Sequence, residues 1–179
     1  MPSFWGCRWS GSYVIPTQAT AMQLRRATPA DAAAILRVHR DSILTLGIQT
    51  YSLAEVESWA VGLVAERYVE AMSVGGETFF IAVAFDGNLA GFCSFKDDEV
   101  KGLYVAPNWA RRGVGSALLR QAEATISAGG HRLIRMVASL SGQAFYEHHG
   151  YRVLERRDWK SRGGLVSAAL AMEKALSMP

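Results

Sequence analysis

The chain has 179 residues, half of them apolar, and carries 19 Lys and Arg against 16 Asp and Glu for a formal net charge of +3. That length supplies one well-buried domain and too little material for two comfortable ones. The charges are interspersed rather than gathered into an aromatic-studded basic patch, which argues against nucleic acid as a partner and suits an anionic small molecule held by local arginines.

Residues 1–21 hold Phe4, Trp5, Trp9 and Tyr13 among Gly, Ser and Pro and read as an N-terminal extension, with Met22 as an alternative start. Ala19-Thr20-Ala21 mimics a signal cleavage site, but without a charged start or a continuous apolar stretch secretion is not expected. The domain is placed at 22–179. Gln23–Ala27 reads as a strand, and Thr28-Pro29-Ala30-Asp31 as an N-cap, a proline at N1 and an acid at N3 that open a helix to about Leu46. A second capping box, Ser52-Leu53-Ala54-Glu55, opens another helix whose apolar stripe runs through Val56, Trp59, Ala60, Leu63 and Val64 until Gly75-Gly76 ends it.

The period then changes to that of strands. Thr78–Phe85, Leu89–Lys96 and Glu99–Val105, separated by turns at Asp86-Gly87-Asn88 and Asp97-Asp98, predict an antiparallel meander. Cys93 in the second strand reads as a small core residue; it and Cys7 are the two cysteines, which make neither a disulfide framework nor a metal cluster, so a reducing cytoplasm and no metal are expected. Gly102 in the third strand marks either a bulge or a close approach to the backbone. A helix over Val114–Ala128, stopped by Gly129-Gly130, buries Val114, Leu118, Leu119, Ala122 and Ile126. A strand over Leu133–Val137, a short helix around Ser141–His149 and strands over Tyr151–Arg157 and Leu165–Met172 complete the chain. The fold class is α/β of the α+β type: one domain with a mixed, mostly antiparallel sheet of about seven strands flanked by about four helices. No apolar run is long enough to span a bilayer, so no membrane is expected as a partner.

The segment Arg111-Arg112-Gly113-Val114-Gly115-Ser116, between the third meander strand and the long helix, has the makings of an anion nest. Gly113 and Gly115 let the backbone come close, the unpaired N–H groups of Val114 and Ser116 lie at the positive end of a helix dipole, and Arg111 and Arg112 add charge. A Rossmann fingerprint is disfavoured, with Leu118 at its third glycine position and Arg135 near its acidic position, and so is a nicotinamide-dependent oxidoreductase; a Walker loop lacks its Gly-Lys-Ser/Thr. Downstream stands Phe145-Tyr146-Glu147-His148-His149-Gly150-Tyr151.

Together the two segments, over about Gln23 to Leu176, resemble the GNAT (GCN5-related) N-acetyltransferase superfamily, with its Gln/Arg-x-x-Gly-x-Gly/Ala loop and its later Phe-Tyr-x-x-x-Gly-Phe/Tyr signature. Ala110 occupies the leading Gln/Arg position, and Ser139 stands where many members carry an Asn against the pantetheine arm. The resemblance implies acetyl-CoA as co-substrate and transfer of its acetyl group to a primary amine by direct attack in a ternary complex. It implies that backbone groups of Leu103, Tyr104 and Val105 hold the pantetheine arm, that Arg111, Arg112, Gly113, Val114, Gly115 and Ser116 hold the pyrophosphate, and that Ser139 and Phe145 complete the cofactor site. Tyr146 is the implied acid for the departing thiolate, against a merely hydrogen-bonded phenol. Glu99 is the implied base, against a solvated turn of Asp97-Asp98-Glu99, with His148 and His149 behind it. The acceptor wall would include His39, Tyr51, Trp59 and Trp159, where aromatics either cage a cationic amine or form core. The acceptor is a small-molecule or peptide amine. Homodimers are common in the family, but this sequence shows no interface signature. A non-catalytic acetyl-CoA-binding or sensing module is the alternative reading.

Overall fold

The computed structural model describes residues 22–176; the aromatic N-terminal extension lies outside the described residues. Seven strands form one sheet in the order β1-β2-β3-β4-β5-β7-β6. They are β1 (Met22–Arg26), β2 (Thr78–Ala84), β3 (Leu89–Lys96), β4 (Glu99–Val105), β5 (Leu133–Ser139), β6 (Arg152–Lys160) and β7 (Val166–Ala175). Every neighbouring pair is antiparallel except β4 and β5. Five α-helices accompany the sheet among the described residues: α1 (Ala32–Leu46), α2 (Leu53–Ala60), α3 (Ala65–Ser73), α4 (Val114–Ala128) and α5 (Gln143–His148).

Local chemistry accounts for most of these boundaries. The Thr28 N–H and Oγ1 both donate to Asp31 Oδ2, at 2.8 and 3.0 Å, and this box starts a single 3-10 turn that runs into α1. The Ser52 N–H donates to Glu55 Oε2 at 2.9 Å while the Glu55 N–H returns to Ser52 Oγ at 3.3 Å, which opens α2. The expected continuous helix from Ser52 to Gly75 is corrected to two. Val61 and Val64 are extended and Gly62 sits at φ +70°, so the chain turns between α2 and α3. The apolar stripe misled because Leu63 and Val64 keep the helical spacing although they lie in the connection. The last two strands run three residues further than expected, to Lys160 and Ala175, because β6 stays paired with β7 through Lys160 and the end of β7 stays paired with β5 through Ala175.

The sheet is covered on both faces. On one, α4 buries Val114, Leu118, Leu119, Ala122 and Ile126, each at most 1% exposed, against Cys93, Val100, Ile134 and Met172. Full burial of such side chains stabilises by about 1.5–3 kcal/mol each. On the other, α1 and α3 pack Ile35, Val38 and Tyr68 on Phe79, Ile81 and Phe92. α2 is tied to the far end of the sheet in two places. The Tyr51 hydroxyl, just before it, accepts from the Leu140 N–H at 2.7 Å and donates to the Ala168 carbonyl at 2.8 Å. Ser58 within it holds the β6–β7 turn: its Oγ lies 2.5 Å from Ser161 Oγ, and its carbonyl accepts from the Gly163 N–H at 2.9 Å. A Cβ on residue 163 would stand 2.4 Å from Ser58 Oγ and 2.8 Å from its Cα, so only glycine lets the turn lie this close to the helix.

Two polar groups contribute in different pH ranges to the response of the fold to acid. His39 on α1 is buried, with Nδ1 2.8 Å from the Tyr68 hydroxyl. Burial, reinforced by the charge of Arg162, pushes its pKa down to about 3. An unfolded histidine titrates near 6.5, so below that pH the unfolded chain takes up a proton that the folded chain refuses, and stability falls as the pH drops from about 6.5 toward 3. Asp31, held down to about 2 chiefly by its hydrogen bond from Arg25, contributes stability that is lost only as the pH falls through the range from about 4 to 2.

Urea unfolding at pH 6.0 and 5.0 is expected to show wild-type stability falling between them, with a slope approaching about 1.4 kcal/mol per pH unit from His39; His39→Gln removes that portion and leaves the part that His149 contributes. Gly163→Ala lowers stability by about 1–3 kcal/mol through overpacking against Ser58, read as a drop in the thermal midpoint.

Candidate active site

The site begins where the sheet divides. β4 pairs with β5 only through Glu99 with Arg135 and Val100 with Met136. The pairing is pinned at its base by the Arg135 N–H donating to the Asp98 carbonyl at 2.9 Å and by the Arg135 guanidinium on Asp98 Oδ2 at 2.6 Å. The register of β4 against β3 then slips by one residue at Lys101. This is the bulge that Gly102 left open in the sequence. From Gly102 onward β4 has no partner on the β5 side. Phe92 opposite Tyr104 and the Ala106 N–H on the Ala90 carbonyl at 2.9 Å fix the phase of the β3–β4 ladder. In that phase the main-chain groups of Tyr104 turn toward β3, and those of Leu103 and Val105 face the gap.

The gap leads to the start of α4. Arg111 and Gly113 both have positive φ, at +60° and +80°, and Gly113 is the left-handed N-cap of the helix. The first helical bond runs from the Ala117 N–H to the Gly113 carbonyl at 3.0 Å, leaving the N–H groups of Val114, Gly115 and Ser116 without intrahelical acceptors. A left-handed residue before a helix start curls successive amides around one concavity, the geometry that receives phosphate oxygens. The Arg112 guanidinium lies 5.4 Å from the centre of the Trp109 ring, which holds the charge beside the nest.

α5 closes the other side. Phe145 packs on Gly115, where an added Cβ would meet its ring at 3.4 Å. Tyr146 is 8% exposed, edge-on to both Phe145 and Tyr151. Burial raises its phenol far above the ordinary tyrosine range, and neighbouring Cys93 and Tyr104 push the same way, so the phenol keeps its proton. Ser116 Oγ is 2.9 Å from His149 Nε2, tying α5 to the helix start, and partial burial, followed by His148, lowers the pKa of His149. Ser139 Oγ bonds to Ser141 Oγ at 2.9 Å at the end of β5. Cys93 is fully buried and its thiol is pushed up by that burial, as befits a core residue.

Opposite α4, a cleft of about 360 Å³ opens between α1–α3 and β4. His39, Trp59, Tyr104 and Trp159 line it, the two indoles 5.2 Å apart in an edge-on pair. Tyr51, expected in this wall, instead spends its hydroxyl on the two main-chain bonds described above. Glu99 stands at the base of β4, with its carboxylate 2.5 Å from the Lys101 Nζ; Lys101 lines the cleft and Glu99 does not. Arg67, Glu77 and Arg162 also line the cleft, and the sequence reading singled out none of them. Arg67 was hidden by reading α2 and α3 as one helix. A signal for Arg162 existed: Ser161-Arg162-Gly163-Gly164 is a turn between two strands on the side where the acceptor wall was expected. Among the described residues no three or more His, Cys, Asp or Glu side chains converge on a common point, and no helix is long and apolar enough to cross a membrane.

The geometry agrees with what related proteins show. The family model of the acetyltransferase (GNAT) domain matches residues 75–153, the span holding β3, β4, the nest, α4, β5 and α5. A GCN5-related N-acetyltransferase from Rhodopseudomonas palustris is 30% identical, with the match covering 88% of this chain and 97% of that one at a TM-score of 0.80. The uncharacterized N-acetyltransferase YafP of Escherichia coli (strain K12) is 24% identical over 147 residues, 79% of this chain and 89% of YafP. The PaiA N-acetyltransferase of Thermoplasma acidophilum, solved in complex with coenzyme A, shares the fold at 23% identity and a TM-score of 0.69, with 88% of this chain and 100% of that chain covered. A divided sheet, an anion nest at the head of α4 and these likenesses lead to one assignment: the chain belongs to the GNAT family of N-acetyltransferases.

Proposed function

We propose that this protein transfers the acetyl group of acetyl-CoA to a primary amine by direct attack in a ternary complex. The observation that carries the reading is the gap between β4 and β5, which leaves the Leu103 and Val105 main-chain groups unpaired and ends at the amides of Gly113–Ser116. An extended pantetheine arm satisfies such an edge as an added strand would. The amides of the α4 start, with Arg111 and Arg112, take the pyrophosphate through charge-assisted hydrogen bonds, each worth about 1.5–3 kcal/mol. Phe145 walls this end, and Ser139 borders the arm from the tip of β5.

In the transfer the amine nitrogen bonds to the acetyl carbon as the carbon–sulfur bond breaks. Tyr146 gives its proton to the departing thiolate, and it suits that task because burial keeps the phenol protonated at neutral pH. The amine must react as its free base, which an alkylamine of pKa about 10.4 rarely is at pH 7. Glu99 accepts that proton through water, since it stands at the base of β4 beside Lys101 and outside the cleft lining. His39 lines the same cleft, but burial has made it a weak base.

Acetyl-CoA is expected to bind the purified protein in calorimetry and to be consumed in the presence of an amine. Tyr146→Phe leaves that binding unchanged and lowers kcat by about a hundredfold or more; unchanged turnover would remove Tyr146 from the chemistry. Glu99→Gln shifts the acidic limb of the rate–pH profile, and a profile identical to wild type would show that the base lies elsewhere.

A further inference from the structure

The acceptor cleft is cationic, although the chain as a whole is close to neutral. Arg67 from α3, Lys101 from β4 and Arg162 from the β6–β7 turn line it, against Glu77 as the lining carboxylate. Lys101 is paired with Glu99, whereas neither Arg67 nor Arg162 forms a salt bridge among the described residues. The charge of Arg162 bears on His39, Tyr68 and Tyr104, and that of Arg67 on Tyr68, so both guanidinium groups act on the walls of this cleft.

The placement of Arg162 is built. The turn that carries it is fastened to α2 by the buried Ser58–Ser161 hydroxyl pair and by the Gly163 N–H on the Ser58 carbonyl, and it closes on itself through the Ser161 N–H to the Leu165 carbonyl at 2.8 Å. These bonds fix the main chain of the turn, while the Arg162 side chain itself stays exposed at the rim of the cleft. The paired indoles of Trp59 and Trp159 form an apolar wall beside the arginines.

On the reading of the protein as an amine acetyltransferase, we propose that the acceptor is a small amine bearing a carboxylate, of the amino acid class, held by Arg162 and Arg67 with its apolar portion against Trp59 and Trp159. A guanidinium offers a carboxylate two parallel N–H donors and so fixes orientation as well as charge. A polycationic amine meets like charge in the same space.

The test measures thiol release from acetyl-CoA with matched acceptors: L-leucine and L-phenylalanine, their primary amides, and spermidine. The free acids have kcat/KM about tenfold or more above their amides, and spermidine is the poorest acceptor. Arg162→Gln and Arg67→Gln each raise KM for the acids by about tenfold while leaving KM for the amides and for acetyl-CoA in place. Amides or spermidine used as well as the acids, or arginine variants that impair acids and amides alike, overturn the anionic acceptor and leave acetyl transfer standing. Acetyl-CoA binding with no turnover of any acid also overturns it. Failure of acetyl-CoA to bind at all removes the acetyltransferase reading itself, and this inference with it.

Discussion

Two residues of parallel pairing between β4 and β5 set the geometry on which the rest of the molecule depends. A sheet ordinarily continues its ladder as far as both strands run, since unpaired main-chain groups away from water are costly. Here the ladder stops after Val100 and Met136, although β4 continues to Val105 and β5 to Ser139. The Asp98–Arg135 pair pins the base, and the bulge at Lys101 turns the remainder of β4 out of register with what preceded it. Pairing continued as far as Leu103 would consume that edge and seal the passage. The divided sheet is therefore a strand vacancy held open by the surrounding packing.

Holding it open needs rigid flanks, and each flank is anchored by chemistry of a different kind. On one face α4 is fixed by apolar burial along its whole inward stripe, which sets the position of the amides at its start. α5 is fixed to the same helix by the Phe145–Gly115 contact and by the bond between Ser116 and His149. On the other face the apolar packing of α1 and α3 is joined by polar ties: the Tyr51 hydroxyl joins the turn after β5 to β7, and Ser58 grips the β6–β7 turn. Gly163 is small because a helix backbone must approach it, and Gly113 is small because its φ requires it. The anion nest and the acceptor cleft thus lie on opposite faces of the sheet, with the gap as the passage between them.

The sequence made one half of this plain and obscured the other. β3, β4 and α4 have their expected boundaries because clean period-two and period-3.6 patterns are bracketed there by Asp-Gly, Asp-Asp and Gly-Gly punctuation. The nest was legible for a similar reason: left-handed backbone before a helix start needs glycine, and glycine stands out in a sequence. The α2–α3 break was not legible, because Leu63 and Val64 preserve the helical stripe through a connection whose one local signal is Gly62. The cleft was harder still. Its arginines come from α3 and from a turn 95 residues later in the chain (162 − 67), and nothing local to either says that they meet. The resemblance points to Glu99 through its place at the start of β4, whereas the side chain that pairs with it, Lys101, becomes visible only in three dimensions.

Charge in this molecule is placed locally rather than accumulated. Arg111 and Arg112 sit at one end of the passage, and Arg67 and Arg162 line the cleft at the other, in a chain whose formal excess is only +3. Between them the interior titratable groups are held neutral: burial keeps Tyr146 and Cys93 protonated and His39 unprotonated. A neutral middle with positive ends has a physical consequence for a reaction that joins an amine to an acyl group. On the proposed reading, the anionic portions of both reactants are drawn to the ends, and the reacting atoms are left between them beside the protonated Tyr146 phenol. A cleft that instead collected its amine through carboxylates would bind the ammonium form tightly and so stabilise the unreactive state of the nucleophile. The proposed arrangement, which fixes the acceptor by its anionic end and away from the nitrogen, separates binding from the proton that has to leave.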